Sequence, residues 1–210
     1  MDKNLENIDM VLFDFGGVIA PEGFQLGILK LAQKFDKTFR KMYEIAGYRA
    51  GLDNGYTAGK ATEDDYWKTI ADILDTGKNL KKYRYVYLDN FQPRKAMLDL
   101  IRKINNEYEF KLGIFSDQTN WIYELDDEFD FFKYFDYFCI SYDKGYTKHD
   151  QKFYDIPARE TEIPPKNILL FDDKIRVIES ARDHGMQARL FTSIKDSWNY
   201  FYPQNKYHEK

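Results

Sequence analysis

The sequence predicts an α/β fold in three layers, with helices packed on both faces of a parallel sheet and an all-helical insertion near its start. Short apolar runs recur along the chain, as Met10 to Phe13, Leu112 to Phe115, Tyr137 to Ile140 and Ile168 to Phe171. Runs of this length without alternation are the pattern of strands buried on both faces. Segments of helical character separate them, and alternation of strand with helix implies crossover connections and therefore parallel pairing. Between the first run and Pro93 lies a stretch with helical spacing and no convincing strand, too long for a loop.

Taken in order, Met10 to Phe13 is the first strand. Behind it Leu26, Leu29, Leu31, Phe35, Phe39, Met42 and Ile45 recur at helical intervals. Thr62, with Asp65 three residues on, is a helix-start capping arrangement, and Tyr66, Trp67, Ile70, Ile73 and Leu74 trace the apolar face that follows. Residues 21–88 therefore read as a helical insertion over the carboxyl end of the first strand, with 1–20 and 89–210 forming the sheet domain. Pro93 opens a helix whose apolar face is Met97, Leu98, Ile101 and Ile104. Ile175 to His184 is another helix, ended by Gly185. A strand at Gln187 to Phe191 and an aromatic helix around Trp198 to Tyr202 complete the layer.

A chain of 210 residues suffices for one well-buried core and a smaller attached domain. Its 17 Tyr and 17 Phe follow no repeat, and core packing accounts for most of them. The net charge of -4 argues against a surface built for nucleic acid and favours small-molecule partners. The single Cys139 cannot form an intramolecular disulfide, and its apolar surroundings in sequence suggest a buried, reduced thiol. Asp2, Lys3, Glu6 and Asp9 precede an apolar run that Asp14 interrupts, so neither a signal peptide nor a membrane span is expected. The expected location is the cytoplasm.

Three of the strands end in polar residues: Asp14 after Phe13, Ser116 and Asp117 after Phe115, Asp172 and Asp173 after Phe171. In an open parallel sheet these ends converge on one crevice. A lone acid after a strand is ordinarily a helix cap or a loop residue; the coincidence of three marks a site. Carboxylates gathered in one cleft repel unless a cation stands among them, and hard oxygen ligands select Mg²⁺ over softer metals. Gly16 and Gly17 follow the first acid, where a side chain would block the approach of a phosphate-sized group, although a tight turn would use the same glycines.

These residues carry a resemblance. Phe13-Asp14-Phe15-Gly16-Gly17-Val18 resembles the first motif of the haloacid dehalogenase-like (HAD) superfamily, in its branch with a helical cap on a Rossmann-like core. Ile114-Phe115-Ser116-Asp117 is similar to the second motif, with Asp117 where the family more often has Asn. Ser141 through Gly145 to Lys148, then Phe153-Tyr154, is similar to the third, with His149 in place of the usual Pro. Leu170-Phe171-Asp172-Asp173, with Ala181 and Gly185-Met186 behind it, resembles the fourth, and the ordered set spans residues 10–191.

The resemblance implies a hydrolase of the phosphatase type in which Asp14 attacks phosphorus to give an aspartyl-phosphate that water cleaves. It implies Mg²⁺ held by Asp14, the Gly16 carbonyl and Asp173, with Asp172 as an adjacent ligand or behind it. Ser116, Asp117 and Gly17 would bind phosphate, with Lys148 neutralising both nucleophile and phosphoryl group. The partner implied is a small phosphorylated metabolite, a sugar phosphate being one candidate. One departure matters: the family's phosphatases usually carry a second Asp two positions after the nucleophile as general acid and base, and here that position is Gly16. His149 and His184 are poor replacements, since one adjoins the lysine and the other ends a helix. Two other readings stand beside this one, a dehalogenase, which the pair Asp172-Asp173 disfavours, and a binding protein that has lost turnover. Tyr43, Tyr48, Tyr56, Tyr66 and Trp67 are candidates for the substrate wall of the insertion, ordinary aromatic burial being the alternative.

Overall fold

The structure, a computed structural model, describes residues 5–203. Five strands, β1 (Met10–Phe13), β2 (Lys111–Ser116), β3 (Tyr137–Ile140), β4 (Ile168–Asp172) and β5 (Gln187–Leu190), form one sheet in the order β3-β2-β1-β4-β5. Every neighbouring pair is parallel. β1 therefore lies at the centre, and its four residues are fully buried. Successive side chains of a strand point to opposite faces. Val11 and Phe13 accordingly join one core and Met10 and Leu12 the other.

Helices α5 (Lys95–Glu107), α6 (Trp121–Phe129) and α10 (Ile194–Phe201) cover the first face through residues such as Leu100, Ile122 and Phe201. The opposite face is covered by α8 (Gln151–Thr161) and α9 (Ile175–Asp183), through Phe153, Ile156 and Val177. This is the expected three-layer α/β core. Gly185 ends α9 with φ +80, a conformation that suits glycine. On α5 the buried stripe is Met97, Leu100, Ile101 and Ile104; Leu98, expected to face the core, is half-buried because the stripe runs one position away from it. Cys139 is buried as expected, and that burial pushes its thiol up to about 12, so it stays protonated.

Between β1 and α5 the described chain has no strand. It forms α1 (Gly23–Lys34), α2 (Phe39–Met42), a π-helix (Tyr43–Asp53), a 3₁₀ turn (Tyr56–Ala58), α3 (Glu63–Ile73), a second 3₁₀ turn (Lys81–Tyr83) and α4 (Tyr85–Leu88). The expected capping box opens α3. The Thr62 hydroxyl oxygen accepts from the Asp65 backbone N–H at 3.2 Å, and the Asp65 carboxylate accepts from the Thr62 N–H at 2.9 Å. The buried face of α3 is Tyr66, Trp67, Ile70 and Ala71, whereas Ile73 is exposed on the last turn and Leu74 half-buried beyond it.

The larger departure is on α1, where Leu26 and Leu29 are exposed. Its buried side is Gly23, Gly27, Ile28, Leu31 and Ala32. A Cβ on Gly27 would stand 2.2 Å from the Tyr87 ring, and one on Gly23 would stand 2.6 Å from the Phe91 ring. The helix thus turns its glycines inward so that two rings can rest on its backbone. Leu26 and Leu29, on the other side, go to the surface.

This helical segment is tied down at the carboxyl ends of the strands. The Tyr56 hydroxyl donates to Asn120 Oδ1 at 2.7 Å, and the Ser141 hydroxyl donates to the Thr57 carbonyl at 2.8 Å. Arg84 bridges Glu63 of α3 and Glu124 of α6, and the Tyr87 and Trp121 rings stack with centroids 5.2 Å apart. No helix among the described residues is long and apolar enough to cross a membrane. Because the capping box is exposed and local, Thr62→Ala removes one satisfied helix-start donor at a cost of about 1 kcal/mol. The expected outcome is a thermal unfolding midpoint lowered by about 2–4 °C, read by circular dichroism.

Candidate active site

The register of the sheet sets the site. Phe13 pairs with Phe171 in β4 and Ile114 in β2, so the residues that follow each strand emerge side by side. Asp14 adds one more rung, its N–H donating to the Phe171 carbonyl at 2.9 Å, before the chain leaves the sheet. A short closed turn follows, in which Ala20 N–H donates to the Phe15 carbonyl and Gly17 N–H to the Ala20 carbonyl, both at 2.8 Å. Arg94 clamps this turn from the start of α5, with Nη1 at 2.8 Å from the Gly17 carbonyl and 2.9 Å from that of Val18.

Asp14 is held through one oxygen. Its Oδ1 accepts from the Phe15 N–H at 2.8 Å and the Ser116 hydroxyl at 2.6 Å, and faces Lys148 Nζ at 2.8 Å. Oδ2 takes none of these donors. Lys148 Nζ also reaches Asp172 Oδ2 at 2.6 Å, and Asp172 Oδ1 accepts from the Lys174 N–H at 2.8 Å. Asp117 also borders the site. Its Oδ1 accepts from the backbone N–H of Lys148 at 2.8 Å, so its carboxylate positions the lysine.

The electrostatics follow from burial. Desolvation pushes the Asp14 carboxyl up to about 8, against the pull of Lys148 and with a further push from Asp172. Desolvation likewise raises Asp117 above the usual carboxylate range despite Lys148. For Lys148 burial works against the charge, but Asp14, Asp172 and Asp117 together outweigh it and hold the ammonium protonated. One lysine thus faces an excess of acid.

Asp173 adds to that excess. Its Oδ2 pairs with Lys174 Nζ at 2.8 Å, while its Oδ1 is buried and has no hydrogen-bond partner. Carboxylate oxygens of Asp14, Asp172 and Asp173 lie within 4.8 Å of one another. An unpartnered buried carboxylate oxygen is costly unless something cationic completes it. A hard divalent ion such as Mg²⁺ fits this all-oxygen donor set, to which the Gly16 carbonyl, outside the turn's own bonds, can contribute. Asp172, with both oxygens engaged by lysines, is the less available of the adjacent pair.

The Gly17 N–H donates to the Ala20 carbonyl, and the Gly17 carbonyl accepts from Arg94. What the position requires is glycine itself: φ is +89, and a Cβ would stand 2.5 Å from the Asp173 carboxylate. Gly16 differs, since a Cβ there would find only Gln118 Nε2 and the Phe91 ring, each at 3.7 Å.

A cavity of about 380 Å³ opens between these strand ends and the helical segment, bordered by Asp14, Gly16, Ser116, Asp117 and Lys148. Of the five aromatic candidates, Tyr43, Tyr48, Tyr56 and Tyr66 line it, while Trp67 is packed away in the core. His149 borders the cavity and is exposed. His184 lies outside it, stacked on Tyr154 at 5.3 Å with Nδ1 at 2.8 Å from the Ser180 carbonyl. Sequence reasoning missed Gln118, Glu22, Lys174, Arg176 and Arg94. Only Lys174 and Gln118 carried a signal, each adjoining a strand-end motif.

The two glycines make opposite expectations. Gly17→Ala forces a strained φ and displaces Asp173, costing about 1–3 kcal/mol. Gly16→Ala has ordinary clearance and stays within about 0.5 kcal/mol of the parent. Thermal denaturation of the two variants side by side checks the difference.

Comparisons with known proteins agree with this architecture. No curated protein matches the chain. Among solved structures, one described as a predicted HAD-like family hydrolase from Porphyromonas gingivalis superposes with a TM-score of 0.72 at 15% identity, covering 94% of this chain and 97% of its own. A HAD family enzyme from Bacteroides thetaiotaomicron, solved with magnesium and inorganic phosphate, gives 0.67 at 17% identity over 87% of this chain and 93% of its own. A dehalogenase solved as an intermediate complex gives 0.64 at 10% identity over 91% and 96%. At these identities the likeness speaks for the fold. The family model for haloacid dehalogenase-like hydrolases matches residues 8–185, and with that span of the sequence the chain belongs to this family.

Proposed function

We propose that the chain is a cytoplasmic, Mg²⁺-dependent phosphatase that acts on a small phosphorylated metabolite. One observation carries the reading: Asp14, anchored through Oδ1 alone, stands beside a buried Asp173 oxygen that no protein group completes. Residues 21–88 serve as a cap on a core formed by 1–20 and 89–210.

Mg²⁺ would be held by Asp14, the Gly16 carbonyl and Asp173, with Asp172 behind them. Bound there, it supplies neutralisation of carboxylate and phosphoryl charge. Asp14 Oδ2 attacks phosphorus as the ester P–O bond breaks, and the leaving oxygen departs with the bonding electron pair. Lys148, 2.8 Å from Asp14, screens the anionic nucleophile from the anionic phosphoryl group. The Ser116 hydroxyl, bonded to Asp14 before substrate arrives, needs only to rotate to donate to a phosphoryl oxygen. Water then cleaves the aspartyl-phosphate to inorganic phosphate and restores Asp14. The magnesium and phosphate seen in the Bacteroides structure support this reading by analogy. A dehalogenase would place an anionic haloacid against Asp172 and an unpartnered Asp173 oxygen with no cation to relieve them, an unfavourable arrangement. A non-catalytic binding protein is favoured by Gly16 and Asp117, and assays decide it.

With p-nitrophenyl phosphate and Mg²⁺ the protein should turn over, and chelation with EDTA should stop it. Asp14→Asn should abolish turnover with the circular dichroism spectrum unchanged; near-parental activity, or binding without turnover in the parent, would sink the proposal. Gly16 supplies no acid for the leaving oxygen, a contribution worth about 10²–10⁴ in rate. Rates across phosphate esters should therefore fall steeply as the leaving-group pKa rises. Gly16→Asp, for which the position has room, should flatten that dependence.

A further inference from the structure

The two walls of the cavity differ in chemistry. Acids and cations come from the strand ends, whereas the helical wall is built from the π-helix Tyr43–Asp53 and the aromatic rings near it. The i→i+5 bonding of a π-helix widens the turn, so that positions four to five apart share a face. Tyr43, Gly47, Tyr48, Gly51 and Leu52 follow that spacing, and all five line the cavity. The fold does not demand glycine at 47: its φ is not positive, and a Cβ would meet Phe24 and Tyr43 at an ordinary 3.5 Å. A glycine inside a helix costs about 1 kcal/mol relative to alanine. What Gly47 provides is bare backbone, a flat patch between rings.

Polar capacity on this side is largely spent. The Tyr56 hydroxyl donates to Asn120, and the Tyr66 hydroxyl donates to Tyr87 at 2.9 Å. Glu22, which lines the cavity, is paired with Lys174, which also holds Asp173. Arg176 reaches the Lys148 carbonyl at 3.0 Å. A polyol would bury hydroxyls against rings. Phe91 adds a ring at the other end, 3.7 Å from where a Cβ on Gly16 would stand.

We infer that the leaving group is a flat phenol, so that the substrates are phosphate monoesters of aromatic hydroxyls. The inference rests on the phosphatase reading and narrows it. The bond from Asp14 to phosphorus forms as the aryl P–O bond breaks, and the phenolate leaves with the electron pair and takes its proton from solvent. A phenolate is stable enough to depart without the acid that Gly16 lacks. At about 380 Å³ the cavity sits near the low end for small-molecule sites, which suits phosphate with a small ring system.

The test compares kcat/KM for phenyl phosphate, glucose 1-phosphate and acetyl phosphate, the last a better leaving group without a ring. It is run with Kd for phenylphosphonate and methylphosphonate in the presence of Mg²⁺; neither phosphonate has a cleavable ester. Phenyl phosphate should have a KM about tenfold or more below both other esters, and phenylphosphonate should bind about tenfold or more tighter than methylphosphonate. Gly47→Leu, which fills the flat patch, should cut the phenyl-to-methyl preference by a similar factor. Equal phosphonate affinities, or a lower KM for glucose 1-phosphate, would overturn the inference with the phosphatase reading intact. No turnover of any ester alongside a strong phenylphosphonate preference would overturn the phosphatase reading and uphold the aromatic slot.

Discussion

A single buried ammonium organises the site. Lys148 stands between Asp14 and Asp172 at 2.8 and 2.6 Å, and its backbone is fixed by Asp117. Its charge opposes the desolvation that pushes the Asp14 carboxyl up. The lysine comes from the segment after β3, with β2 and β1 lying between β3 and β4, so its reach links the carboxyl ends of separate strands. Even so, its charge does not suffice for all the acids around it, and the unpartnered Asp173 oxygen is where the imbalance shows. A site that is short of positive charge before ligand arrives is one in which a cation contributes both to stability and to chemistry.

Glycine controls the spacing around that centre in two distinct ways. At Gly17 the backbone conformation and the nearness of Asp173 both exclude a side chain, so turn and acid are matched by sterics. Along α1, Gly23 and Gly27 let Phe91 and Tyr87 rest on helix backbone. Tyr87 in turn stacks on Trp121 at the start of α6. The helical segment is thereby drawn onto the strand ends by packed rings as well as by charge, and the cavity is the gap left between them. Interiors packed at crystal-like density transmit small changes, so the shape of that gap depends on residues well removed from Asp14.

Much of the core was legible because parallel strands covered on both faces have to be apolar throughout. The runs at Met10, Leu112, Tyr137 and Ile168 each became a strand within a residue or two of the expected bounds. The acids at their ends were legible because three strands carry them, and the carboxyl ends of parallel strands converge on one crevice. Helix faces were less so. Leu26, Leu29 and Ile73 fit a helical period yet lie on the surface, since a periodic pattern does not say which side meets a neighbour. The π-helix left no sequence mark, because it depends on which carbonyl each N–H finds.

Taken alone, the sequence determined the layered α/β core, the order of its strands along the chain and the acids that would meet at their carboxyl ends, because these follow from local hydrophobicity and the two-residue period of a strand. Tertiary structure decided the rest. It engaged both backbone groups of Gly17 inside a turn, turned Asp117 toward the lysine backbone, left one oxygen of Asp173 unpartnered and brought Glu22 and Asp173 to the same Lys174. Each of these is a contact between residues distant in the chain or a competition for one hydrogen bond. Such outcomes depend on distances of a few tenths of an ångström, which no residue pattern encodes until the chain is packed.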